Sequence, residues 1–402
     1  MPTYELKNTV QRYDWGSHSF IPELLGEQVP SAEPQAELWM GAHPKASSEA
    51  LVDGRWKPLT GLIGSDPARW LGAPVSSRFR QELPFLLKVL AAERPLSMQA
   101  HPNRAQAARG FQAEEDRGVP RGAPERNYKD PNHKPELLAA LIPFDALCGF
   151  RPPAQTAELF RALDVAALRP YAECLGEEPA GLRRAFSELM RLDAQNRQSL
   201  IASLVDACSR LSTEVGEFSG ACRWVAELGR LYPSDPGVVT ALMLNHVRLE
   251  PGEALFLPAG NLHLYLRGAG IEIMANSDNV LRAGLTSKHI DLEELLNILD
   301  LSTGRPPLIT LVPADGVEKV YPTPTEEFRL SRLELEPTKS WRCPERRGPE
   351  ILICVSGTAE IRELGRPPHE LHRGRSLFVT GDAGAYEGTG TATLFRATAG
   401  RT

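Results

Sequence analysis

No two of the six cysteines (Cys148, Cys174, Cys208, Cys222, Cys343, Cys354) form a CxxC pair; they lie far apart along the chain. This excludes a cysteine-built zinc site, and the thiols read as reduced core residues of a cytoplasmic protein. There is no signal-peptide pattern and no apolar run long enough to cross a membrane, so a membrane partner is not expected. A basic block is missing too, as is any patch in which lysine and arginine alternate with aromatics. With a net charge of −6, nothing electrostatic recommends nucleic acid or an anionic lipid surface. An anionic small molecule would need a local cluster of cations, because the global field repels it.

What the chain does have is 402 residues, 42% hydrophobic and 24% charged, enough for two or three soluble domains. Residues 1–94 mix short apolar alternations with glycine and proline punctuation, as in YELKNTVQRYDWGS, AELWMGAHPKASS and LPFLLKVLAA. Strands at that spacing predict a barrel or sandwich. Between 155 and 236 the apolar residues recur at three and four, the amphipathic helix period. After a proline-rich joint at RPPLITLVPAD the strand rhythm returns to the end. The expected organisation is mainly β. Residues 1–154 and 237–303 make one discontinuous barrel, 155–236 an inserted helical domain, and 304–402 a second barrel. The histidines of that last region, His369 and His372, are expected in a polar loop, so it reads as a barrel without metal.

The stretch that organises the rest is PGEALFLPAGNLHLYL at 251–266. Ala254, Phe256 and Pro258 alternate with Leu255 and Leu257, giving a strand with two distinct faces. Pro258-Ala-Gly260 is a turn signal, and His263 opens a second strand directly after it. Gln99 and His101 are two apart on an expected strand, so both project to one face. The polar run 104–127 is an expected excursion or flap. In NHKPEL, Pro131 and Pro135 keep the approach to Glu136 extended, with His133 and Lys134 adjoining it. Glu272 alternates with Ile271 and Ile273. If those isoleucines pack outward against the helices, Glu272 points inward. Gln99, His101, Glu136 and His263 together have the chemistry of one divalent site. Imidazole nitrogen and carboxylate oxygen suit zinc, and a neutral amide in place of a second anion leaves the cation a stronger Lewis acid.

The spacing from Gly252 through Pro258 and Gly260 to His263 resembles the second cupin motif, with Arg267 where that motif has asparagine. SMQAHP, NHKPEL, the PxGxxH turn and NSDNVLRAGLTSKHID, in this order around a helical insert, resemble type I mannose-6-phosphate isomerases over essentially the whole chain. The resemblance implies a cupin jelly-roll catalytic barrel, an inserted helical domain and a second, metal-free cupin-like barrel. It implies one zinc ion per chain on Gln99, His101, Glu136 and His263. Lys134, Asp278, Arg282 and Lys288 would line a sugar-phosphate site, with Ser97 and Lys88 also on the substrate side. The implied reaction interconverts mannose 6-phosphate and fructose 6-phosphate through an enediol, in a monomer. For the base, Asp278 ranks first and Lys134 next, with Glu272 and His133 as further candidates. Leu264, where the family has a smaller residue, is expected to narrow the pocket beside the metal. Two other classes fit the fold: an iron-dependent oxygenase and a non-catalytic sugar-binding cupin.

Overall fold

The structure is a computed structural model that describes residues 3–176, 180–343, 348–363 and 365–400. Its central element is the long strand His263–Ala275. The first half pairs with Phe144–Phe150 and, at His263, with Gln99. The second half lies between Glu136–Ala140 and Phe85–Ala92. The chain passes from one wall to the other at Gly268, where φ is +138° and a Cβ would sit 2.6 Å from the Phe144 ring. A left-handed φ with no room for a side chain is a position only glycine fills without strain.

Alternation along these strands sends side chains in three directions. Leu90, Leu138, Phe144, Ala146, Cys148, Leu255, Leu257 and Tyr265 fill the barrel interior. Leu264 and Leu266 turn outward with Met98, Ala100 and Leu147 into the core of the helical segment. That segment contains, among others, the helices Pro153–Ala162, Gly181–Met190, Ala194–Leu211 and Ser219–Leu231. On the remaining wall, Leu87, Val89, Ile271 and Ile273 pack against Ile351, Ile353, Phe378 and Phe395. Glu272 therefore does turn inward, but its isoleucine neighbours cover the C-terminal sheet and not the helices. Leu264 faces the helices too, so the expectation that it narrows the metal pocket does not hold.

The C-terminal strands form a large antiparallel sheet around the paired strands Glu350–Glu363 and Tyr386–Thr398. Strand Thr3–Lys7 joins that sheet between Ser376–Val379 and Glu49–Val52, although residues 1–154 were expected in the first barrel. His369 and His372 lie on a short strand, His369–His372, and not in a loop. The interior of this region holds a closed ion network. Arg396 donates to both oxygens of Glu350, at 2.7 and 2.9 Å, and to Glu318 at 2.9 Å. The Tyr386 hydroxyl donates to Glu350 as well. Removing one member of such a set leaves a buried charge uncompensated. Arg396→Ala is expected to cost about 3–5 kcal/mol, read as a lower urea midpoint.

Candidate metal centre

His101, Glu136 and His263 come from three different strands or strand ends and meet in the barrel interior, each no more than 2% exposed. Met98 and Ala100 are committed to the helical core, so the alternate positions Gln99 and His101 face the other way. The Gly260 amide donates to the His101 carbonyl at 2.7 Å, which ties this arm to the turn that carries His263. At Gly260, φ is +78° and a Cβ would sit 2.8 Å from the Ile298 carbonyl oxygen, so the turn requires glycine.

The imidazoles have a fixed tautomer. His101 Nδ1 lies 2.8 Å from the Asn279 carbonyl, and His263 Nδ1 lies 3.0 Å from the Asn261 carbonyl. A carbonyl only accepts, so each Nδ1 carries the proton and each Nε2 presents a lone pair. Both Nε2 atoms face Glu136 Oε2, at 3.4 and 3.5 Å. Among the described residues none of these three buried atoms has a hydrogen-bond partner. Three converging acceptors without a donor cost about 1–3 kcal/mol each, a penalty that a cation removes. Burial pushes His263 down to about 4 and also lowers His101, so both are neutral and ready to ligate at pH 7. Burial works against the Glu136 charge, but the Lys134 ammonium, 2.8 Å away, outweighs it and holds the carboxyl well below its usual range. The donor set, two neutral imidazoles and a carboxylate, fits zinc. Gln99 is the register partner of His263 on one side and Arg282 on the other. Its side-chain amide makes no hydrogen bond among the described residues.

The other residues singled out in the sequence divide. Glu272 is buried, with Lys88 2.8 Å away as its ion-pair partner. Lys88 also reaches Glu37 at 3.4 Å, and Trp39 Nε1 donates to that same carboxylate at 2.7 Å. Buried and doubly paired, Lys88 holds Glu272 in place. Asp278 pairs with Lys45 at 2.8 Å and lies 3.5 Å from His43 Nε2. Burial raises its carboxyl, but those partners prevail and lower it strongly, so it is a weak base. His133 turns away to Glu327, at 2.7 Å. Ser97 is half-buried, with no side-chain hydrogen bond among the described residues, and Lys288 is exposed.

Sequence reasoning missed Lys45 and Lys129. Burial lowers Lys129, and Lys45, Arg282 and Lys288 add repulsion. Lys288 is lowered by burial, then by Arg282 and Lys45. The four cations thus act on one another through their charge. Among the described residues Lys129, Arg282 and Lys288 have no carboxylate within 4.0 Å, and only Lys45 is paired. No local motif marks these lysines; the run NYKDPNHK merely places Lys129 near Lys134.

His263→Ala is expected to weaken zinc uptake by the metal-stripped protein beyond the roughly 10–100-fold that loss of an outer hydrogen bond costs. Calorimetric titration reads the affinity, and circular dichroism confirms retained structure.

A sequence profile described as "Phosphomannose isomerase type I, catalytic domain" matches residues 3–153. The mannose-6-phosphate isomerase of Escherichia coli (strain K12) is 41% identical over 379 residues, covering 93% of this chain and 94% of the relative. That of Rattus norvegicus is 33% identical over 404 residues, covering 94% and 93%. A zinc-bound crystal structure of mannose 6-phosphate isomerase superposes with a TM-score of 0.90 at 37% identity, covering 100% of both chains. With its fold, its buried ligand triad and its full-length relatives in agreement, this chain belongs to the type I mannose-6-phosphate isomerase family.

Proposed function

We propose that this enzyme interconverts mannose 6-phosphate and fructose 6-phosphate, with one zinc ion on His101, Glu136, His263 and Gln99. The observation that carries the reading is the set of three buried acceptor atoms without a partner among the described residues, with Arg282, a cation without a carboxylate within 4.0 Å among them, two strands from His263. Backbones two strands apart are roughly 10 Å from each other, the scale of an extended six-carbon sugar phosphate. Bound zinc supplies Lewis acidity toward the sugar oxygens, worth several kcal/mol as charge develops.

The chain's own groups then have separate tasks. Lys45, Lys129 and Lys288 hold the phosphate dianion. Arg282, a permanent forked cation, stands between them and the metal ligands, where it meets phosphate or a developing oxyanion. The base removes the proton from carbon 2 of the open-chain aldose, and the electron pair left behind forms the carbon 1–carbon 2 double bond of an enediolate charged on oxygen 1; a proton passes from oxygen 2 to oxygen 1, and the proton returned to carbon 1 gives the ketose. Glu272 suits this role better than Asp278. Burial raises its carboxyl, with further raising from Glu136 and Glu37, although Lys88 opposes them. A raised carboxyl is the more effective proton acceptor near neutral pH. Lys88 is held well above its usual range because Glu272 and Glu37 outweigh its burial, so it stays charged and fixes the Glu272 side chain. Lys134 places a proton donor beside the triad.

A coupled assay for fructose 6-phosphate tests the reading. Chelation is expected to abolish turnover and zinc to restore it. Arg282→Ala is expected to keep its zinc and lose about 10²–10³-fold in kcat, and Glu272→Gln to do likewise. Because the Glu272 carboxyl is raised, kcat/KM should fall on acidification at a pH above the ordinary carboxylate range, as the base becomes protonated. Full activity in the Arg282 variant, or a low-pH limb at the ordinary carboxylate value, counts against the assigned roles. A zinc-loaded chain without turnover favours the non-catalytic cupin, and oxygen consumption with iron favours the oxygenase.

A further inference from the structure

We propose that Glu327, on the C-terminal side of the molecule, is a positioning residue that sets the spacing of the metal ligands in the first barrel. Glu327 is buried, 5% exposed, and its carboxylate has three partners. Oε1 lies 2.7 Å from His133 Nε2 and accepts from Arg104 Nη2 at 2.5 Å. Oε2 accepts from the Thr325 hydroxyl. His133 stands three residues before the ligand Glu136, and Arg104 three residues after the ligand His101. One buried carboxylate therefore clamps the two arms that carry different ligands. The neighbouring Glu326 reinforces the grip through Arg104 at 2.7 Å and through Arg78.

This clasp lies in a cleft of about 620 Å³ also bordered by Pro135, Phe256 and Pro258, so the strand and turn leading to His263 line it as well. The far side of the 129–135 segment is pinned separately. Asn279 Nδ2 donates to the carbonyls of Asp130 and Asn132, at 2.7 and 2.9 Å. Asn279 also supplies the carbonyl that orients His101. With Asn279 on one side and Glu327 on the other, the approach to Glu136 is fixed although 129–135 contains neither helix nor strand. Charge-assisted bonds of this kind hold geometry more strongly than neutral ones, and supports outside the ligand shell govern how tightly a metal is retained.

The proposal rests on the metal reading of the triad, and the test separates the two. Zinc-loaded protein is mixed with excess chelator well below its melting temperature, and the zinc release rate is followed for the parent, Glu327→Gln, His133→Asn and the double variant. Release about 10-fold faster in each single variant, with the double variant no faster than the singles, is the expected result. It should come with a lower kcat and an unchanged KM. Release at the parental rate in the single variants, even with a lowered melting temperature, overturns the clasp and leaves only a structural contact. If Glu327→Gln does not fold, His133→Asn alone decides between these outcomes. A parent chain that takes up no zinc overturns the metal reading itself, and the clasp with it.

Discussion

Three lone pairs facing one another in a buried interior are the constraint around which this molecule is built. Two hydrogen bonds to backbone carbonyls forbid the simplest relief, a change of tautomer that would let an imidazole N–H donate to Glu136. Protonation is opposed by burial, which holds His263 near 4. The apolar core on either side supplies the energy to keep such a site assembled, since each fully buried large side chain contributes about 1.5–3 kcal/mol. Stability is thus used to maintain a local arrangement that is unfavourable until a cation enters.

The same economy explains the layers beneath and beside the triad. Lys88 sits between Glu37 and Glu272, so one buried cation serves two buried anions and leaves the interior slightly acidic. Burial first, and then that excess of negative charge, raise the Glu272 carboxyl, whereas Asp278, beside Lys45 and His43, is lowered. Two carboxylates of one barrel are driven apart in basicity by their surroundings alone. The C-terminal interior meets the problem of buried charge differently: Arg396 and two glutamates satisfy one another and leave no converging lone pairs among them.

Much of this was legible in the sequence because strand periodicity is local. Gln99 and His101 had to share a face, His263 had to follow a turn, and Glu272 had to oppose its isoleucines. What lay across the sheet was not legible. Alternation says that Ile271 points away from Glu272 but not which layer it meets, and the C-terminal sheet took the place expected for the helices. Leu264 was misjudged by attending to its neighbour in sequence, His263, and not to its face. Asp278 looked like a base because its partners, Lys45 and His43, lie more than two hundred residues earlier in the chain. Lys129 and Lys45 gave no signal for the same reason: a cluster of cations gathered from separate loops has no spacing to read.

The pairing of Thr3–Lys7 with Ser376–Val379 has a bearing on how the protein is made. A ribosome delivers the first of these strands long before the second, and the early strand then has only Glu49–Val52 beside it. Its other edge waits, unpaired, for several hundred residues of further synthesis. Contacts so distant along the chain form slowly, and exposed strand edges invite association with other nascent chains. Glu5 and Lys7 put exposed charge on that short strand, the kind of residue by which an open edge resists such association.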